Sequence, residues 1–101
     1  MAWYVDVNYL DDLGQQIRAH VAMTDQPEED TRALFRIYAV LLLAKGADVT
    51  AADVHNAWSA WMLQTDPTHD AIVPYATLAR DVADGDLPYV EAIRAVAEGM
   101  S

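Results

Sequence analysis

The sequence predicts an all-α protein, a compact single domain of four or five helices with short loops. Three observations predict it. Apolar residues recur at three- and four-residue spacing along most of the chain. Cap and stop signals bracket these stretches, and none of them alternates apolar with polar residues as a half-buried strand would. A length of 101 residues with 53% hydrophobic content fits one domain with its own core. Chains of this size bury roughly 60 to 65% of their extended surface and are stable by about 5 to 10 kcal/mol.

The first helix is expected over residues 8–22. Asn8 can cap it, Asp11 stands three residues on as in a capping box, and Leu10, Leu13, Ile17 and Val21 form one stripe. Gly14 lowers local helix propensity by up to about 1 kcal/mol, which a close helix crossing would explain. Ahead of it, Ala2 to Val7 is either an extended arm with Trp3 and Tyr4 folded back or a frayed end.

The second helix is expected over residues 28–45, from Glu28 or Asp30 to a cationic last turn at Lys45 and a C′ glycine at Gly46. Leu34, Ile37, Tyr38, Leu41 and Ala44 are expected to form its deepest stripe. Phe35, Val40, Leu42 and Leu43 make its later half apolar nearly all round, which marks it as the central helix. The alternative is a homodimer seam that buries Leu42 or Leu43.

Thr50 and Asp53 have the spacing of a capping box at the head of a third helix over 50–65, with Val49 ahead as a staple against Val54. Val54, Ala57, Trp58, Trp61 and Met62 then share a broad face. Two indoles one turn apart are more often core than recognition surface. Pro74 is expected to open a helix over 74–83, with Ile72, Val73, Leu78 and Val82 as its apolar contacts. Asp86 is expected to cap a last helix over 87–98, with Val90, Ile93, Val96 and Ala97 inward and Gly99 closing it.

Charge and composition exclude several functions. A net charge of -10, with six scattered Lys and Arg, does not supply the basic face that long nucleic acid requires. The acidic residues gather mainly where helix starts are expected, which suits the helix dipole. They also give a negative surface fitted to a basic partner. There is no cysteine, so no disulfide, thiolate nucleophile or sulfur metal site. The longest apolar run, Tyr38 to Ala44, is too short to span a membrane. A cytoplasmic, non-membrane protein is expected.

Catalytic and metal signals are weak. His20 looks like a surface residue. His55, His69, Asp66 and Asp70 match no metal-ligand spacing, and Ser59 lacks a nucleophile-elbow context. No metal, cofactor or enzymatic activity is expected. Binding is the better reading: Trp58, Tyr75, Trp61 and Tyr89 offer flat aromatic surface, while His55, Asn56, His69 and Arg80 can read or neutralise polar groups. The expected binding residues are His55, Asn56, Trp58, His69, Tyr75 and Arg80.

Four segments, YLDDLGQQIRAHV from Tyr9, TRALFRIYAVLLLAKG from Thr31, VTAADVHNAWSAWM from Val49 and LPYVEAIRAVA from Leu87, resemble a family of small proteins from actinobacteria and their phages, especially mycobacteriophages. Within them, VHNAW from Val54, His69 and IVPYATL from Ile72 are similar to the short motif of ryanodine-receptor repeat (RyR) domains, pointing to His55, Trp58, His69, Pro74 and Tyr75. That likeness implies a helical fold and a nucleotide-ligand role in antiviral signalling. The chain departs from it at His69-Asp70, where the motif has His-Pro, and after Leu78, where a Glu-Lys-rich stretch is lacking.

The expectation is therefore a non-catalytic accessory protein that binds a host protein through an acidic and aromatic surface in the host cytoplasm. A small nucleotide ligand is the first alternative, and a structural or oligomerisation role is the second.

Overall fold

A computed structural model describes residues 8–27 and 30–100. The element order is α1 (Tyr9–Ala19), α2 (Arg32–Lys45), α3 (Ala51–Thr65), the short α4 (Arg80–Ala83) and α5 (Leu87–Met100), with 3-10 turns between them and no strand among the described residues. The fold is all-α, as the periodicity predicts. The arm over Ala2 to Val7 and the expected helix start at Glu28 lie outside the described residues.

The caps form where the residue chemistry places them. Asn8 Oδ1 accepts the Asp11 N–H at 2.8 Å, and Asn8 Nδ2 donates to Asp11 Oδ2 at 2.8 Å. Thr50 and Asp53 make the reciprocal capping box of α3, at 3.2 and 3.0 Å. Asp53 is held below the usual carboxylate range by the Thr50 backbone N–H. Asp11 is likewise lowered, first by the hydrogen bond from the Arg36 guanidinium on α2.

Two helix ends differ from expectation. The first helix stops at Ala19 rather than residue 22, because the Gln26 amide donates to the Val21 carbonyl at 2.9 Å and accepts from Arg18 Nε at 3.0 Å. Gln26 thereby replaces the last helical turn while Val21 stays buried. The second helix begins at Arg32, because Asp30 Oδ1 accepts the Arg32 N–H at 3.0 Å, a local alternative to helix that Asp side chains favour.

Leu13, Ile17 and Val21 meet Leu34, Phe35, Tyr38, Ala39 and Leu42 in the core, together with Val49, Val54, Trp61, Val90, Ile93 and Val96. Gly14 lies where α1 crosses α2, and a Cβ there would stand 3.0 Å from the Phe35 carbonyl oxygen. Here the sequence expectation of a close crossing holds. The stripe of α2 holds only at Leu34 and Tyr38: Phe35, Ala39 and Leu42 are buried beside them, whereas Ala44 is exposed and Ile37 and Leu41 are only partly covered. Val40 and Leu43 are half exposed, so α2 keeps one apolar face in solvent. Neighbours on one side of α2, rather than all round it, account for the shift.

The expected helix over 74–83 is broken. Tyr75–Thr77 form a single 3-10 turn, Leu78 and Ala79 are extended, and α4 follows. The Thr77 hydroxyl donates to the Pro74 carbonyl at 2.7 Å, closing that turn locally instead of letting a helix propagate. Val73 and Val82 are 39% and 48% exposed there, so neither is buried as a core contact. At its other end α4 passes through the 3-10 turn Asp84–Asp86 straight into α5, and Leu87 already has helical dihedrals. No free helix start exists for Asp86 to cap, which corrects that expectation. Gly99 lies inside α5, which runs on to Met100. Tyr89 Oη donates to the Asp25 carbonyl at 2.7 Å, and Arg94 makes two bonds to the Val49 carbonyl at 3.1 and 2.7 Å, so α5 is tied to both earlier turns.

Candidate functional site

The continuous path from α4 into α5 releases Asp86 from capping and points the chain's attention elsewhere: Asp86 lines a hollow of about 230 Å³ with His55, Trp58 and His69. α2 supplies Leu34 and Tyr38, α3 supplies His55 and Trp58, and α5 supplies Tyr89. The loop after α3 adds His69 and Ala71, while Val82, Gly85, Asp86 and Pro27 complete the wall. Leu34, Tyr38, His55 and Tyr89 are buried and form the floor; His69, Val82 and Gly85 are exposed and form the rim.

His55 is only 3% exposed, and its two ring nitrogens face different groups. Nε2 lies 2.7 Å from the Val73 carbonyl oxygen and must donate to it, because a carbonyl has no proton to give. Nδ1 faces Asp86 Oδ2 at 3.8 Å. The loop carrying Val73 is held by local hydrogen bonds, among them Ile72 N–H to the His69 carbonyl at 3.2 Å and Ala71 N–H to the His69 imidazole Nδ1 at 3.1 Å. That loop therefore fixes the tautomer of a histidine on another element.

The aromatic groups are ordered around the same ring. His55 and Trp58 stack, with centroids 5.7 Å apart and planes 21° from parallel, while Tyr75 is tilted toward His55 at 6.1 Å. His69 meets Trp58 edge-on at 5.1 Å. Trp58 is partly exposed in the wall of the hollow, whereas Trp61 is buried in the core. The two indoles thus divide between the two roles open to them.

Asp86 is the electrostatic centre. Its side chain is 14% exposed, and burial raises its pKa from 3.8 to about 6, against the opposing effect of His55. Desolvation disfavours the charged carboxylate, and no neighbouring N–H lies within hydrogen-bond distance to offset it. Tyr89 is unavailable, since its hydroxyl is bonded to Asp25, and its own pKa is raised first by burial. Burial also pushes the Tyr38 hydroxyl well up.

Of the residues expected to bind, the structure brings together His55, Trp58, His69 and Tyr75. It leaves out Asn56 and Arg80. Asn56 follows His55 on α3 and is rotated by one helical step onto the exposed face; Arg80 is exposed at the start of α4 and does not line the hollow. Asp86 and Tyr38 are the site residues that the sequence reading misses. Asp86 looked like a cap, and only its lack of an extended N-cap backbone distinguishes it.

Ser59 Oγ lies 3.4 Å from His55 Nε2, giving Ser59, His55 and Asp86 the order of a hydrolytic relay. The geometry opposes that use: with Nε2–H donated to Val73, the nitrogen beside the hydroxyl has no lone pair with which to take its proton.

The fold and hollow define a small all-helical domain with a mixed aromatic and acidic pocket. Residues 8–98 match the sequence profile of DUF7701, a domain of unknown function, and the chain belongs to that family. No curated protein and no solved structure matches it. No helix among the described residues is long and apolar enough to cross a membrane.

Proposed function

We propose that this chain is a non-catalytic binding module that captures a partner protein by seating one of its side chains in the hollow between α3 and the Asp84–Asp86 turn. The observation that carries this reading is the lining itself: among the described residues it has aromatic walls, one desolvated carboxylate and no Lys or Arg. Its volume of about 230 Å³ falls below the roughly 300 to 1,000 Å³ of sites for drug-sized ligands and suits a single side chain. A net charge of -10 favours a basic partner.

The nucleotide alternative has less support. A phosphate beside Asp86 would meet like charge, and Arg80, the cation expected to neutralise it, is not in the wall. The oligomer alternative retains Leu43 and Val40 as an exposed pair, while Leu42 is already buried within the chain. Origin in actinobacteria or their phages, and the RyR likeness, rest on the sequence resemblance. In that setting the partner is a host protein and the site of action is the host cytoplasm.

Affinity capture with the wild-type chain, Trp58→Ala, His69→Ala and Glu91→Gln tests the reading. Glu91 is exposed on α5 and does not line the hollow. One partner protein should be retained by wild type and Glu91→Gln and lost by both hollow variants. His69 is exposed but its Nδ1 also accepts the Ala71 N–H, so the spectrum of His69→Ala must first show an intact loop. A partner retained equally by all four proteins would overturn the assignment.

A further inference from the structure

Several polar groups around the hollow have their bonding satisfied among the described residues. His55 Nε2–H is spent on the Val73 carbonyl, Tyr89 Oη–H on the Asp25 carbonyl, and His69 Nδ1 on the Ala71 N–H. Among the described residues no donor reaches the Asp86 carboxylate, which keeps unused acceptor capacity on both oxygens and has His55 Nδ1 3.8 Å away. An ionised carboxylate in so little water is costly unless donors reach it.

Beside this carboxylate stands a flat aromatic surface. The stacked His55–Trp58 pair and the edge-on His69 make a corner with one wall of π faces, and Tyr38 and Tyr89 continue the apolar floor. A ligand for this site needs planar N–H donors for the carboxylate, a face that can lie on an aromatic ring and an apolar stem. Ammonium supplies a point charge without a face, whereas guanidinium supplies both in one plane and forms paired bonds to carboxylates. A neutral aromatic side chain would fill the corner and leave Asp86 unpaired.

We propose that the hollow is a receptor for an arginine side chain, with the guanidinium on Asp86 and against the Trp58 indole. This rests on the reading of the chain as a protein-binding module and names the residue its partner must offer. The negative charge of the whole chain adds attraction at long range, and the aromatic corner and the Asp86 carboxylate supply the selection.

The test titrates acetyl-Gly-Arg-Gly-amide into the isotopically labelled full chain at physiological ionic strength, following backbone amides and indole N–H signals by NMR. Matching titrations use the lysine peptide and the citrulline peptide, which keeps the shape of arginine without its charge. The arginine peptide should move His55, Trp58 and Asp86 signals saturably, and citrulline should bind about ten-fold more weakly, the size of one charge-assisted hydrogen bond. Asp86→Asn should remove the preference for arginine over citrulline while its spectrum shows an intact fold. Equal binding of lysine overturns the guanidinium assignment. Equal binding of citrulline, or saturable shifts away from the hollow, overturns the site. If the peptides fail while a partner is still lost with Trp58→Ala and His69→Ala, the binding module stands and the arginine proposal falls.

Discussion

Where α1 crosses α2, the chain has no room to spare: the place of a Gly14 Cβ is 3.0 Å from the Phe35 carbonyl oxygen, and Ile17 and Phe35 are essentially fully buried. Where α3, its following loop and the α4–α5 junction meet, side chains stop short of filling about 230 Å³, and a carboxylate sits there without a hydrogen-bond donor. The first region gains stability from apolar contact. The second gives some away, because a desolvated charge and an unfilled wall each cost free energy that folding alone would remove. The contrast shows how a small helical domain can use one side as scaffold and keep another unfinished for a ligand.

The largest expected effect breaks the scaffold side. Gly14→Val should cost about 3 kcal/mol, since the atoms it meets are backbone of α2 and cannot swing away as a side chain would. Urea denaturation checks this; an unchanged midpoint would mean that the two helices are not held at the described distance.

A smaller change of opposite sign sharpens the comparison from the other side. Asp86→Asn should stabilise the chain at pH 7.5 by on the order of 1 to 2 kcal/mol, allowing for solvent screening. The sign follows from the folded pKa of about 6, above the ordinary 3.8. A carboxyl that holds its proton better when folded adds stability that is fully present below pH 3.8 and lost as pH rises through about 6. The wild type should therefore lose stability from this group between those two values, and the asparagine variant should lose less. Asp11 and Asp53 act in the opposite sense and at lower pH, because their folded pKa values are depressed and their contribution disappears only as pH falls below 3.8. Thermal melts across pH 3 to 8 separate the two windows; parallel curves for wild type and variant would remove Asp86 as the source.

The smallest change leaves both regions in place and probes the element that joins them. Thr50→Ala removes the cap of α3, the helix that carries His55 and Trp58, and should cost about 1 kcal/mol in a urea titration without moving the NMR signals of the hollow. A shift of His55 or Trp58 signals in that variant would show that the site depends on the helix start as well as on its own contacts.

Much of the scaffold was legible residue by residue. Asn8 with Asp11, and Thr50 with Asp53, need only their own neighbours to form a cap, and the Leu13–Ile17 stripe needs only helical geometry. Gly14 was legible as well, because its low propensity inside a good helix calls for a partner backbone. The candidate site was legible in part. His55 and His69 stand out as polar groups less well explained by a core, while core packing explains Trp58 as well as recognition does. Asn56 and Arg80 were chosen for their chemistry alone, and their places on the helix surface and at the α4 start turned them away from the hollow. Asp86 was hidden because an aspartate before a helix ordinarily caps it.

By itself, then, the sequence determined the helical class, the caps of α1 and α3 and most of the apolar stripe on α1, because those depend on residues within a turn or two of one another. Tertiary structure alone decided which indole became core, which carbonyl fixed the His55 tautomer, and that Asp86 faces His55. Each of those outcomes depends on the direction in which separate helices and loops meet, and short-range spacing carries no information about that direction.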